Sequence, residues 1–97
     1  MFNLMVICGG MKTGKTKLGK LTAFLSGAVL ADDCEDPNGV LMAHMAASTG
    51  PLVMIVMEPK DKEDWPVPLG HSMIQAAADI IIRMPHMTIV KDRYDVF

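Results

Sequence analysis

Ninety-seven residues, 51% of them hydrophobic and 21% charged, make one globular domain and exclude a disordered chain. A formal charge of −2 argues against non-specific nucleic-acid binding by bulk electrostatics, although the charge is uneven, basic over Lys12 to Lys20 and acidic over Asp32 to Asp36. The two cysteines, Cys8 and Cys34, have no disulfide-framework or metal spacing, no apolar run approaches the roughly 20 residues that span a bilayer, and the start carries no basic signal region, so a soluble protein of the reducing cytoplasm is expected.

In chain order, residues 2–8 are apolar and partly β-branched, which predicts a parallel strand buried on both faces, with Cys8 as a small buried hydrophobe. Gly9-Gly10-Met11-Lys12-Thr13-Gly14-Lys15-Thr16 follows and fits the phosphate-binding loop pattern G-x-x-x-x-G-K-[ST] at every fixed position. From Lys15 to Leu25 the spacing of Leu18, Leu21, Thr22 and Leu25 predicts a helix, stopped by Ser26-Gly27. Strand, glycine loop and helix are thus in the order the motif requires. The glycines let successive N–H groups turn inward, and the helix start adds its positive end. Lys15 is then expected to reach the β- and γ-phosphate oxygens of a nucleotide, and the Thr16 hydroxyl to ligate Mg²⁺. A helix start carrying Lys12, Lys15, Lys17 and Lys20 opposes the macrodipole unless an anion sits there.

Residues 28–31 predict a short second strand that delivers Asp32 and Asp33 at its end. Residues 34–39 hold Asp, Pro, Asn and Gly and read as a loop. Residues 40–48 predict a helix with Leu41, Met42, Met45 and Ala46 on one face, ended by Gly50. The run 52–57 is apolar on both faces and predicts a central strand. Residues 60–70, with Trp65, form a charged connection that either packs over the core edge or contacts a partner. Residues 72–78 predict a short helix capped by Ser72, leading into Asp79, a structural carboxylate. The strands 80–83 and 87–90 are joined too closely for a crossover helix, so they predict an edge hairpin, ending in Lys91-Asp92-Arg93. Apolar strands alternating with helices give an α/β fold with a mostly parallel sheet.

A phosphate loop binds; hydrolysis also needs a metal carboxylate and a group that orients water. Asp32 suits the first task, and Asp33 or Glu35 the second, although Asp-Asp-Cys-Glu-Asp is also ordinary acidic-turn composition. His44, His71 and His86 share no metal-ligand spacing. Ten methionines against five aromatics predict an adaptable core that leans on a partner subunit.

With these elements in order, the chain resembles the RecA-like P-loop family, closest to the DnaB-type helicase core and its phage relatives. Leu30-Ala31-Asp32-Asp33 is similar to the family's Walker B strand, residues 51–57 with Glu58 to its sensor strand, residues 72–79 to its helix running into Ala-Asp, and Lys91-Asp92-Arg93 to its Lys-x-Arg pair. The resemblance implies ATP and Mg²⁺ as ligands, and Lys91 and Arg93 as catalytic fingers reaching the γ-phosphate of a neighbouring subunit. It thereby implies a homo-oligomer or a larger ATPase ring. The 60–70 connection corresponds to the family's DNA-facing region, which adds single-stranded DNA to the expected partners. Two departures weaken catalysis more than binding. The strand and helix carrying the family's catalytic glutamate are missing between the first helix and Asp32, and Glu58-Pro59 replaces the usual amide or hydroxyl. An alternative in keeping with them is a non-catalytic module that joins or inhibits a larger ATPase ring. A small metabolite kinase is disfavoured, since Arg83 and Arg93 are the only arginines and no arginine-rich lid exists.

Overall fold

The computed structural model describes residues 2–10, 14–32, 36–47, 50–58 and 72–93. Their elements, in order, are β1 (Leu4–Gly9), α1 (Lys15–Ser26), β2 (Val29–Ala31), α2 (Pro37–Ala47), β3 (Leu52–Met57), α3 (Ser72–Ala77), β4 (Ile80–Arg83) and β5 (Thr88–Asp92). The fold is α/β: a five-stranded mixed sheet in the order β2-β3-β1-β4-β5, flanked by helices. β1 pairs in parallel with β3 and β4, and β2 in parallel with β3. β5 runs antiparallel beside β4, with a register shift between Ile81 and Ile82, giving the expected edge hairpin.

The apolar runs become inner strands because both of their faces are covered. Leu4, Val6 and Cys8 of β1 join Leu52, Met54 and Val56 of β3 in one layer, closed by Leu41 of α2 and Ile74 of α3. Met5 and Ile7 join Val53 and Ile55 in the other, closed by Ala23 of α1. Each such fully buried aliphatic side chain contributes roughly 2 kcal/mol of gross transfer free energy. β3 is an inner strand as expected, paired with β2 and β1, and β1 lies at the centre of the order, between β3 and β4.

The helices depart from their predicted faces. In α1 the buried residues are Lys15, Gly19 and Ala23, and Leu18 packs half-buried against the core as expected, whereas Leu21 and Leu25 point to solvent. Lys15 enters the loop at the helix start, so the positions four and eight residues later turn inward with it, and the leucines rotate out. Gly19 permits the close approach: a Cβ there would lie 2.6 Å from Ile55 Cδ1. α2 begins at Pro37, not Val40, so residues 37–39 are helical where a loop was expected. Asp36 starts it, its carboxylate accepting the Gly39 N–H at 3.2 Å, and proline suits the first helical position. Only Pro37 and Leu41 of α2 are buried; Met42, Met45 and Ala46 are exposed. No helix among the described residues is long and apolar enough to cross a membrane.

Candidate phosphate-binding site

β1 runs between two ends of the sheet. At one, β1 ends at Gly9 and α1 begins; at the other, β1 begins beside Asp79. Gly9 is held from one side by the Glu58 N–H, 2.8 Å from its carbonyl, while the Met84 N–H bonds the Cys8 carbonyl at 2.8 Å from the other. The strand end is therefore clamped between β3 and the residue after β4, and the loop departs from a fixed point. Gly14, at φ 84°, takes the left-handed conformation that turns the chain into α1, and no side chain caps the helix. Its first turn holds no acidic residue to complement the positive dipole end.

Lys15 sits in the first turn, 6% exposed, with its ammonium donating to the Gly10 carbonyl at 3.0 Å. Neither the Glu58–Arg83 nor the Asp79–Arg93 ion pair involves it. A buried ammonium facing one neutral acceptor is a costly arrangement that an anion would relieve. Next to it, the Thr16 hydroxyl donates to Asp32 Oδ1 at 3.3 Å. Asp32 follows β2, which pairs with β3 rather than β1, so one strand separates it from the loop strand. Together Thr16 and Asp32 offer two hard oxygen ligands on the same side of α1. Among the described residues no three His, Cys, Asp or Glu side chains cluster to hold a metal unaided. Magnesium at phosphates needs no such cage, since one or two protein oxygens plus phosphate and water oxygens complete its shell.

Met11, Lys12 and Thr13 of the loop, Asp33 and Glu35, Cys34, His71, and the 60–70 connection with Trp65 lie outside the described residues. The structure thus brings together Gly9, Gly10, Gly14, Lys15, Thr16 and Asp32. It does not bring Lys91 and Arg93 to them. Ile81 pairs with Lys91 and Ile80 with Asp92, while Arg83 pairs with Cys8, so the basic pair stands at the opposite end of the sheet. There it is engaged within the chain. Lys91 Nζ donates to the Gln75 and Ala76 carbonyls at 2.8 and 3.2 Å, and Arg93 Nη2 to Ala76 at 2.9 Å, both at the C-terminal end of α3. Partial burial, with Arg93 beside it, lowers the Lys91 pKa from its ordinary value. Asp79 completes this end. Its carboxylate accepts the Asn3 and Leu4 N–H groups at 2.6 and 3.2 Å and pairs with Arg93 Nη1 at 2.8 Å, which accounts for its structural role.

One feature of the loop edge escaped the sequence. Glu58, directly after β3, is buried and pairs with Arg83 Nη2 at 3.2 Å, joining the ends of β3 and β4 across β1. The signal was present as an arginine closing the apolar run 80–82, but its partner lies 25 residues earlier. Beneath the pair, burial and then the Glu58 charge push the Cys8 thiol far above its ordinary pKa, and its Sγ donates to the Ile82 carbonyl at 3.5 Å. Cys8 is therefore inert packing. Comparison with protein-family models, curated proteins and solved structures found no match for this chain.

Proposed function

We propose that this protein binds a nucleoside triphosphate, ATP with Mg²⁺, through Gly9 to Thr16, as a shortened RecA-like P-loop protein. The observation that carries the proposal is Lys15: a buried ammonium at a helix start with no side-chain cap and no acidic residue in its first turn, bonded among the described residues to the neutral Gly10 carbonyl. Such a group is held in reserve for a phosphate, to which it would transfer its hydrogen bond. Thr16 and Asp32 would hold Mg²⁺, which would supply charge neutralisation at the phosphate oxygens. The rest of the binding energy would come from loop N–H groups and the α1 dipole.

Hydrolysis in this reading is slow or partner-dependent. Glu58 is committed to Arg83, which leaves it poorly suited to orient water, and Asp33 or Glu35 would have to do so. Lys91 and Arg93 could serve a phosphate only on another copy, after exchanging their bonds to α3. Titration calorimetry with Mg-ATP tests the binding claim. Wild type should bind and Lys15→Ala should not; equal affinity for the two, or no binding by wild type, sinks it.

A further inference from the structure

α1 is amphipathic in the wrong sense for a solvated helix. Lys15, Gly19 and Ala23 face the sheet, and the opposite side carries Lys17, Lys20, Leu21, Phe24 and Leu25 at three- and four-residue spacing, all exposed. Phe24, at 84%, is the most exposed large apolar side chain among the described residues, and Leu25 follows at 74%. Single apolar side chains at a surface are ordinary, but three on adjoining turns of one face make a patch.

The charge along this face has one sign. α1 contains no Asp or Glu. Elsewhere among the described residues, Glu58 and Asp79 are buried and paired with arginines, and Asp92 lies on the edge strand β5. Asp36 starts α2 on the other side of the sheet, and Asp32, at the start of α1, is bonded to Thr16. A face that is basic over its first turns and apolar over its last is complementary to an anionic bilayer surface. Phenylalanine and leucine sink to the acyl boundary, while lysine stems reach back and leave their ammonium groups among the headgroup phosphates. The face is the outward ridge of one helix, a convex surface that lipid accommodates by yielding. The apolar cavity lined by Leu41 and Met45 lies on the other side of the sheet, where α2 carries no lysine or arginine. We infer that the outer face of α1 docks this protein on an anionic phospholipid surface, with Phe24 as its apolar anchor and Lys17 and Lys20 as its headgroup contacts. So small a patch gives a reversible attachment to one leaflet, not an insertion across it.

Co-sedimentation of the full chain with vesicles tests this. Wild type should pellet with equimolar phosphatidylserine and phosphatidylcholine but not with phosphatidylcholine alone, and added salt should release it. Lys17→Ala combined with Lys20→Ala should weaken partitioning about twentyfold, and Phe24→Glu at least about tenfold. Met45→Lys, on the other side of the sheet, should change it little. Circular dichroism and melting of each variant establish that it is folded. Phe24→Trp, made together with Trp65→Phe so that it is the sole tryptophan, should shift its emission to the blue only when the anionic vesicles are added. Failure of wild type to pellet with those vesicles overturns the proposal, as does equal pelleting with phosphatidylcholine alone or by Phe24→Glu. Emission already shifted to the blue without lipid also overturns it, since protein would then cover the face. The proposal is independent of nucleotide binding: saturating Mg-ATP or inorganic phosphate, at constant ionic strength, should leave pelleting unchanged. Displacement by either would place the headgroup in the phosphate loop and overturn the assignment to α1.

Discussion

The two ends of β1 each hold a buried charge, and they treat it in opposite ways. At the beginning of the strand, Asp79 is 1% exposed and satisfied by two backbone N–H groups and Arg93. At its end, Lys15 is nearly as buried and, among the described residues, bonds to a neutral acceptor, the Gly10 carbonyl. The first arrangement is complete and closes the fold. In the proposed reading the second is completed by a bound anion. Satisfaction, more than burial, separates a structural charge from a binding one, and the Glu58–Arg83 pair falls on the structural side although it adjoins the loop.

Breaking the satisfied end should cost most. Asp79→Ala leaves the Asn3 and Leu4 N–H groups without their carboxylate acceptor and is expected to lower unfolding free energy by about 2–3 kcal/mol in denaturant titrations, while Arg93 keeps its bond to Ala76. The unsatisfied end should behave in reverse. Lys15→Met removes a buried, poorly paired charge while keeping the chain length of the side chain, so the ligand-free protein should gain about 1 kcal/mol of stability. The same change should weaken Mg-ATP binding by about a hundredfold, the value of a charge-assisted contact to phosphate. A Lys15→Met protein less stable than wild type would make Lys15 a structural residue and erase the contrast.

Smaller effects sharpen the comparison. Thr16→Ala removes an exposed hydroxyl, so it should leave stability within about 0.5 kcal/mol, lower ATP affinity in Mg²⁺, and change little in EDTA. Calorimetry in the two buffers distinguishes this metal-linked loss from general damage to the loop. Cys8 gives the smallest signal. Its folded pKa is raised above the ordinary 9.0, so its contribution is fully present below about pH 9 and is lost as the pH climbs further. In native protein a thiol reagent should leave Cys8 unlabelled, and Cys8→Ser should reduce the loss of stability above pH 9.

How the sheet was legible, and the helix faces were not, has a physical basis. The runs around Val6, Ile55 and Ile81 are apolar at consecutive positions, which permits few structures other than strands covered on both sides. The helix at Lys15–Ser26 was readable as a helix, but its apolar spacing suggested that Leu21 and Leu25 face inward. The structure turns Lys15, Gly19 and Ala23 inward instead. A small side chain packs a helix closer to a sheet than a leucine does, and period alone does not weigh that. The start of α2 was legible in hindsight, since Asp36-Pro37 is a cap followed by a favoured first residue.

By itself the sequence determined the strand runs, the phosphate-loop motif and the edge hairpin, because each depends on neighbours within a few residues. Only the tertiary structure decided the rest. It joined Asp79 to Asn3 across 76 positions, set Thr16 against Asp32, tied Arg83 to Glu58, and moved Lys91 and Arg93 to the end of the sheet away from the loop. Those placements follow from strand order and helix rotation, which are set by the packing of the whole core at once rather than by any local stretch of chain.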